Sequence, residues 1–477
     1  MKDFKIDSVI LPARGSNVRW DIVVKNDVVQ RIDASSTRQE KGSPEDPITM
    51  LLPALCHPHV HLDKPYILTC NHGPKDQHPD YSDLAPASGA FTEALANTAE
   101  AKKRYTEEDL YLRGAQLLAT SYRQGVTALR AFVEIDHVTG NKALKSAVKL
   151  KKDFSHLMEM QICAFAQDPI FSTEFGQENR VYMESALTEY ADAIDALGTT
   201  PYVEKSREAA VRNIEWAIHM TLANNLHLDF HLDYNLDATS SSSPLTYTVV
   251  DMLQQNQWVD RADASKTIVL GHCTQLSSLA ASELHDMARR ISESMLPIYF
   301  VGLPTSDLFM MGRPGQSAEG SSRPHTRPRG TLQVPSLIRD YGLSACLSVN
   351  NVGNAFTPYG TGDPLQLASL GVGIYQSGTP EDAKILYSCV SWGARRAIGL
   401  EIGAAVEAGD MAEGDHWRPM LLVKSEGEMR LPDQAGGCSL VVKARPRLDF
   451  KDVVWDPPDM QLRSIVGVTD RDGERSG

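Results

Sequence analysis

Short apolar runs alternate with helical patterns along the middle of the chain. The runs, which we predict to be strands, cover residues 51–56, 126–133, 159–166, 199–203, 226–231, 267–271, 297–302 and 343–349. Between them the apolar residues recur at helical spacing, as in 206–225, where Ser206 precedes the pattern and can cap the helix. Eight strands that alternate with helices predict an α/β fold, a TIM-like (β/α)8 barrel.

Both ends of the chain are different, because their strand candidates are short and separated by polar turns. Residues 22–32 predict a hairpin around Asn26 and Asp27, and 420–423 and 439–442 are strand candidates near the other end. We therefore expect the two ends to meet in one small β-sandwich domain. The predicted division assigns residues 1–50 and 402–477 to the small β domain and 51–401 to the barrel.

A polar segment follows the predicted seventh strand. Residues 312–330 are rich in Gly, Pro, Ser and Arg, which predicts a loop rather than a strand or helix. Its place after a barrel strand suggests a lid over the barrel mouth.

Histidines fall at the ends of several predicted strands. His59 and His61 follow the first apolar run, and alternate residues of a strand share one face, so two imidazoles would point the same way. This is half of a metal site, although His-x-His is also common by chance. His231 ends the fifth strand and His272 follows the sixth. Histidines at three strand ends of one barrel favour a shared site, since the chemistry of such barrels lies at that face.

Composition and charge exclude several classes of binding partner and of enzyme. Hydrophobic content of 42% and charged content of 23% are ordinary for a soluble globular protein. The net charge of -14 argues against a nucleic-acid or anionic membrane partner and leaves a small-molecule substrate, with a homo-oligomer open. Seven scattered cysteines without a C-x-x-C motif, and a first segment without a signal-peptide core, predict a cytoplasmic protein. A G-x-S-x-G elbow is absent, which argues against a serine hydrolase.

Several motifs together resemble a known family. They are His59-Val60-His61-Leu62-Asp63-Lys64, 87–93, 162–168, 201–204, Phe230-His231-Leu232-Asp233, Gly271-His272, Gly312-Arg313, 327–330 and 357–360. In combination they resemble the amidohydrolase superfamily and, within it, the cytosine-deaminase-like branch, in a divergent, fungal-type form. That branch uses a metal-activated water to attack an amide or amidine carbon of a small heterocycle.

The resemblance also implies roles for single residues. The implied metal ligands are His59, His61, His231 and Asn350. His272 would stand beside the metal, and Gln167 and Asn351 would bind the substrate. The implied cofactor is one divalent ion, zinc in the first place and iron as the alternative.

Two positions depart from the deaminase pattern. Tyr234 stands where the deaminases have a proton-shuttling Glu, and a phenol with a pKa near 10 serves poorly in that role at neutral pH. Asn350 stands where they have a metal-binding Asp, and an amide is no general base. Asp233 would share the face of His231 if the strand continued, so it is the best substitute acid–base group. If the alignment is shifted, Glu204 is another. The predicted catalytic residues are thus His272, Tyr234 and Asp233.

These features predict a metal-dependent enzyme that acts on a C–N bond of a small cyclic or heterocyclic amide or amidine, but not cytosine. One alternative is a repurposed enzyme of secondary metabolism that catalyses a cyclisation, elimination, decarboxylation or isomerisation. Another is an inactive homologue that only binds a ligand.

Overall fold

The computed structural model describes residues 3–35, 48–71, 78–234, 236, 243–311, 329–400, 409–432 and 440–467. Four strands precede the barrel: β1 Phe4–Val9, β2 Trp20–Lys25, β3 Val28–Ala34 and β4 Thr49–Pro53. The first three form an antiparallel sheet in the order β1-β2-β3. Asn26 and Asp27 connect β2 to β3 with φ angles of 52° and 61°, as a two-residue type I′ hairpin requires. The predicted hairpin is confirmed.

Eight parallel strands form the barrel. They are β5 Leu55–His61, β6 Val126–Glu134, β7 Glu159–Ala166, β8 Ile194–Thr199, β9 His227–Leu232, β10 Ile268–His272, β11 Ile298–Gly302 and β12 Ala345–Leu347. Each pairs with its neighbours in chain order, and a parallel bridge between Val60 and Asn350 joins the first strand to the chain just after the last. The predicted fold class, a (β/α)8 barrel, is confirmed.

Two strand predictions differ from the structure. The run 51–56 spans two elements, the end of β4 and the start of β5. The run 199–203 was placed too late, because β8 ends at Thr199 and Pro201–Val203 forms a 3-10 turn. Within β8 the polar Asp195 interrupts the apolar pattern; its carboxylate accepts hydrogen bonds from Lys151 and from the Ile162 N–H.

Helices surround the strands. In chain order α1 to α14 are Phe91–Arg104, Glu107–Gln124, Lys142–Asp153, Gly176–Glu189, Arg207–Asn224, Leu245–Gln255, Trp258–Arg261, Ala281–Ser294, Pro304–Met310, Val334–Arg339, Pro364–Ile374, Pro380–Cys389, Trp392–Ala397 and Phe450–Trp455. The Ser206 hydroxyl accepts from the Ala209 N–H and caps α5, as predicted. Across the described ranges, we find no helix with the length and apolar character that a bilayer span requires.

The last strands are β13 Met420–Lys424, β14 Glu428–Leu431, β15 Leu440–Lys443 and β16 Arg463–Val466. Strand β13 lies between β4 and β16 in an antiparallel sheet, so the two ends of the chain meet as predicted. Their shared core, with Ile22, Leu51 and Met420 among its buried residues, is separate from the barrel core. The predicted division near residues 50 and 402 stays a prediction. Of the predicted lid, residues 312–328, with Gly312, Arg313 and 327–328, lie outside the described residues.

Candidate metal centre

Three histidines meet at the C-terminal end of the barrel strands. His59 and His61 lie on β5 and His231 on β9, all of them buried. One ring nitrogen from each lies within 4.8 Å of the other two. The Nε2 atoms of His59 and His231 are 2.5 Å apart. The structure thus brings together the three imidazoles that the sequence singles out.

These imidazoles are held in their neutral form. Burial, with a contribution from nearby Lys64, lowers the pKa of His61 to about 4. Burial also holds the pKa values of His59 and His231 well below the ordinary value, since a charged ring would lose its hydration. Neutral nitrogens with free lone pairs are the form that binds divalent transition metals.

Carboxylates face the outer nitrogens of two of these rings. The Nδ1 atom of His59 lies 3.9 Å from Asp229, and that of His61 lies 3.7 Å from Asp63. Neither distance is a hydrogen bond, but a carboxylate on this side favours a proton on Nδ1 and leaves Nε2 as the ligand atom. Asp229 in turn accepts a hydrogen bond from Arg130 at 3.1 Å.

Two phenylalanine rings pack against the imidazoles of the histidine cluster. Phe132 stacks on His59 with ring centroids 4.0 Å apart, and Phe165 meets His231 edge-on at 4.4 Å. Both phenylalanines are fully buried strand residues. Rotation of these imidazoles would therefore require repacking of the barrel interior.

Asn350 lies where the barrel closes. Its N–H donates to the His59 carbonyl at 3.2 Å and its carbonyl accepts from the His61 N–H at 2.8 Å, so it joins β12 to the histidine strand. A φ of 60° sets this residue apart from the strand conformation. Its side-chain oxygen is buried and has no hydrogen-bond partner among the described residues.

The donor set fits a divalent metal ion. Buried polar atoms without a partner are rare, and Asn350 Oδ1 is one such atom among the described residues. Three neutral imidazoles with an amide oxygen nearby offer the nitrogen and oxygen ligands that zinc and ferrous iron accept.

A second acidic group beside His61 has a different character. Glu134 lies close enough to His61 and Asp63 to share an ion, but it is paired with Lys64 and, at 2.8 Å, with Lys102. Although burial alone would raise the pKa of Glu134, the two ammonium groups hold it below the ordinary value. The Glu134 carboxylate is thus compensated by lysines, and its position supports the end of β6 rather than a second metal.

Asp233 is engaged elsewhere. Strand β9 ends at Leu232, and Asp233 has a φ of 46°, so the strand does not continue through it. Its two carboxylate oxygens accept from the N–H groups of Leu245 and Thr246 and from the Thr246 hydroxyl, at 2.7 to 3.0 Å. The expectation that Asp233 shares the face of His231 is corrected: its carboxylate caps helix α6.

Tyr234, by contrast, belongs to the barrel mouth. Its ring lies 5.5 Å from that of His272, centroid to centroid, and 5.2 Å from Phe91. Tyr202 and Phe356 complete this group of aromatic rings. Burial raises the pKa of Tyr202, so its phenol stays protonated. We call Phe91, Tyr202, Tyr234 and Phe356 the aromatic wall.

The two predicted substrate-binding residues are placed differently. Gln167 directly follows β7 and is 8% exposed, at the same end of the barrel as the histidines. Asn351 accepts a hydrogen bond from Asn354 at 2.8 Å and lines a cavity of about 270 Å³ with Thr305 and Tyr359. The described lining of that cavity contains none of the clustered histidines. These contacts therefore do not place Asn351 at the metal centre.

His272 lies beside the cluster and has a partner that the sequence analysis missed. Its ring centroid is 5.0 Å from that of His231. Its Nδ1 atom lies 2.6 Å from Oδ1 of Asp307, a buried residue of α9. The available signal was an acidic residue shortly after the seventh strand, at the face where barrel enzymes place their chemistry.

Known proteins share this architecture. The 5-methylcytosine deaminase of Klebsiella pneumoniae, liganded with phosphonocytosine, superposes with a TM-score of 0.69 at 17% identity, covering 98% of each chain. The N-isopropylammelide isopropylaminohydrolase of Burkholderia multivorans gives 0.63 at 19% identity, over 95% of this chain and 94% of that one. The chain has the amidohydrolase fold.

Sequence comparison agrees with the amidohydrolase fold. The N-isopropylammelide isopropyl amidohydrolase of Pseudomonas sp. strain ADP is 22% identical over 395 residues, which are 83% of this chain and 86% of the relative. No family model matches the sequence. The resemblance to the cytosine-deaminase-like amidohydrolases is confirmed.

Proposed function

We propose that the chain is a metal-dependent hydrolase that acts on a C–N bond of a small cyclic or heterocyclic amide or amidine other than cytosine. The observation that carries the proposal is the cluster of three buried, neutral imidazoles at the C-terminal end of an amidohydrolase barrel. The similar proteins named above, which are by name a deaminase, an aminohydrolase and an amidohydrolase, support the same class of reaction.

His59, His61 and His231 would hold the metal, with the Asn350 amide oxygen as a further donor. The ion would supply Lewis acidity that polarises a carbonyl or amidine carbon and acidifies water. The protein residues do the remaining work. His272 would accept a proton at Nε2 and pass it on, since its Nδ1 is bonded to Asp307.

The aromatic wall would exclude water and accept a flat ring. Its four rings pack together, and two of them, those of Tyr202 and Tyr234, lie next to the His272 ring. Aromatic faces pack well against planar heterocycles. Gln167, directly after β7, would orient the ring through a carbonyl or amide group of the substrate.

Cytosine is a poor candidate because of Tyr234 and Asn350. A general acid or base typically contributes about 10²- to 10⁴-fold in rate, and the deaminase pattern has a carboxylate at both positions. Tyr234 lies among aromatic rings, and the phenol of a tyrosine is ordinarily neutral near pH 7. A neutral phenol donates a hydrogen bond, so a substrate that presents an acceptor there would fit better.

The phenol of Tyr234 among aromatic rings also favours a second candidate function, that of a non-hydrolytic enzyme with the same fold. A neutral phenol that donates a proton suits an elimination, cyclisation, decarboxylation or isomerisation. Tyr234→Phe separates this candidate from a purely structural phenol. Lost turnover with metal retained would support a working hydroxyl, and unchanged turnover would count against it.

Metal content is the direct test of the proposed function. Purified protein should contain close to one zinc or iron per chain by elemental mass spectrometry, and His59→Ala with His61→Ala should remove it. His219→Ala is the matched control, because His219 is an exposed residue of α5 bonded to Asn256. A wild-type protein that neither retains nor takes up a divalent metal would refute the proposal.

Turnover is the second part of the test. A screen of cyclic amides and amidines should find a substrate whose hydrolysis depends on the metal and disappears in the His59→Ala, His61→Ala variant. The double variant Tyr234→Glu, Asn350→Asp restores both carboxylates of the deaminase pattern. We expect it to gain cytosine or 5-methylcytosine deamination, and no gain would show that the aromatic wall excludes these substrates by shape.

A further inference from the structure

His272 has a carboxylate partner, Asp307, that is not part of the histidine cluster. We propose that Asp307 is a positioning residue that fixes His272 in the Nδ1–H tautomer, so that the Nε2 lone pair is presented to the barrel mouth. The motifs that carry the family resemblance include His272 but not Asp307.

The contact is short and fully enclosed. The Nδ1 to Oδ1 distance is 2.6 Å, the Asp307 side chain is inaccessible, and His272 is 3% exposed. A carboxylate offers lone pairs, so the hydrogen of this bond belongs on Nδ1. The second oxygen of Asp307 accepts from the Thr331 hydroxyl at 2.8 Å, which holds the carboxylate plane in place.

The backbone holds both partners rigidly. His272 and the following Cys273 have φ angles of 67° and 46°, and the Cys273 N–H donates to the Leu232 carbonyl at 2.9 Å. This pair of left-handed residues turns the chain at the end of β10 and is tied to β9. Asp307 lies in the first turn of α9, which Pro304 begins directly after β11. The bond therefore links the ends of the sixth and seventh barrel strands.

The bond to Asp307 leaves Nε2 as the nitrogen of His272 that can act in the site. With Nδ1 bonded to Asp307, Nε2 is the other nitrogen of a ring whose centroid lies 5.0 Å from that of His231 and 5.5 Å from that of Tyr234. A fixed lone pair at that point is a hydrogen-bond acceptor for a water or a substrate N–H. This use of the acceptor rests on the proposed function, but the tautomer itself does not.

The tautomer of His272 decides whether a site with few carboxylates contains a proton acceptor. An imidazole in water exchanges between two tautomers, and only one of them presents an acceptor at Nε2. Asp307 selects that tautomer without facing the substrate. In the Ser-His-Asp enzymes the same arrangement matters strongly, because an Asp→Asn change that leaves the geometry intact but gives the wrong tautomer lowers kcat by about 10⁴-fold.

Nuclear magnetic resonance of full-length, zinc-treated protein labelled with ¹⁵N-histidine tests the tautomer directly. The His272 signals are assigned from their loss in His272→Gln. We expect a protonated Nδ1 and an unprotonated Nε2 in the wild-type protein. In Asp307→Leu, where no acceptor remains, the Nε2–H form should become populated. Thr331→Val is the matched control, because it removes only the outer bond and should leave the tautomer unchanged.

Two results would overturn the proposal: Nε2–H in the wild-type protein, or an unchanged Nδ1–H tautomer in folded Asp307→Leu. If Asp307→Leu does not fold, Asp307→Asn serves instead. Replacing a charged acceptor by a neutral one should move the Nδ1 proton resonance upfield, and an unmoved resonance would contradict the proposal. The spectra need neither turnover nor retained zinc, so they remain decisive if the proposed function fails.

Kinetics gives an independent readout once a substrate is found. Asp307→Asn should lower kcat by about 10²-fold or more and leave KM nearly unchanged, since Asp307 does not touch the substrate. A loss confined to KM would argue for a binding role instead.

Discussion

Asp233 and Asp307 are both buried aspartates at the barrel mouth, and they differ in what they bind. Asp233 accepts two backbone N–H groups and one hydroxyl at the start of α6. Asp307 accepts an imidazole N–H and one hydroxyl. The first carboxylate stabilises the fold and the second orients a residue of the site. Burial and location alone do not separate these roles; the hydrogen-bond partners do.

The comparison also shows why the obvious candidate is the structural one. Asp233 directly follows a strand that carries a clustered histidine, which made it the natural substitute acid–base group. Its positive φ turns the chain there, and the nearby helix then supplies donors for its side chain. Asp307 reaches His272 only because the start of α9 lies beside the end of β10, which no local pattern indicates.

The largest effect on stability should come from Asp233→Ala. It removes a helix cap and leaves the N–H groups of Leu245 and Thr246 buried without partners, at a cost of about 2–3 kcal/mol in the free energy of unfolding. Urea denaturation measures this loss. Turnover per folded molecule should stay unchanged.

The matched control is Asp263→Ala. Asp263 makes a similar local turn contact with Ser265 but is exposed, so its loss should cost far less. If Asp233→Ala were as stable as the wild-type protein and inactive, the contrast with Asp307 would collapse and Asp233 would be an acid–base group after all.

A third buried aspartate predicts a pH dependence. Burial raises the pKa of Asp229 from 3.8 to about 7, against the opposing effect of Arg130. A raised pKa means that the folded protein binds this proton more tightly than the unfolded chain. The associated stability is complete below about pH 4 and is lost as the pH rises to about 7.

Asp229→Asn removes this titration. The stability of the variant relative to wild type should therefore rise between pH 4 and pH 7, by about 1 kcal/mol or more. Denaturation at several pH values in the presence of a chelator measures it, since a bound metal would itself change the titration. A difference that does not vary with pH would show that Asp229 is already ionised when buried.

The smallest effect should come from Thr246→Val. It deletes the hydroxyl that donates to Asp233 and keeps both backbone donors, so we expect a loss of about 1 kcal/mol. Thr248→Val, two residues further along α6 at an exposed contact with Arg207, is the control. A loss as large as that of Asp233→Ala would mean that the hydroxyl, and not the helix N-terminus, holds the carboxylate.

Periodicity predicted the barrel well, because each strand buries apolar residues on both faces and each gap is long enough for a helix. It failed at β8, where Asp195 breaks the apolar run, and at the boundary between β4 and β5, where one run serves two sheets. The histidine cluster was predictable since strand alternation and barrel topology fix where His59, His61 and His231 point.

The rest of the site could not be predicted from the sequence, because it depends on tertiary contacts between different helices, strands and loops. The Asp307 bond to His272 and the placement of Asn351 beside a separate cavity follow from tertiary packing. The charge network of Lys64, Glu134 and Lys102 is of the same kind, as its members lie far apart in the chain.

Barrel closure has a consequence for the order of folding. Ser348, 289 residues further along the chain, and Asn350 both bond the backbone of His59, so the two halves of the centre come together only when the first and last strands meet. Contacts so distant in the chain form late, because their loop-closure entropy is offset only by a nearly complete fold. Metal uptake during refolding should therefore occur later than helix formation, and its rate should report the closure of the barrel.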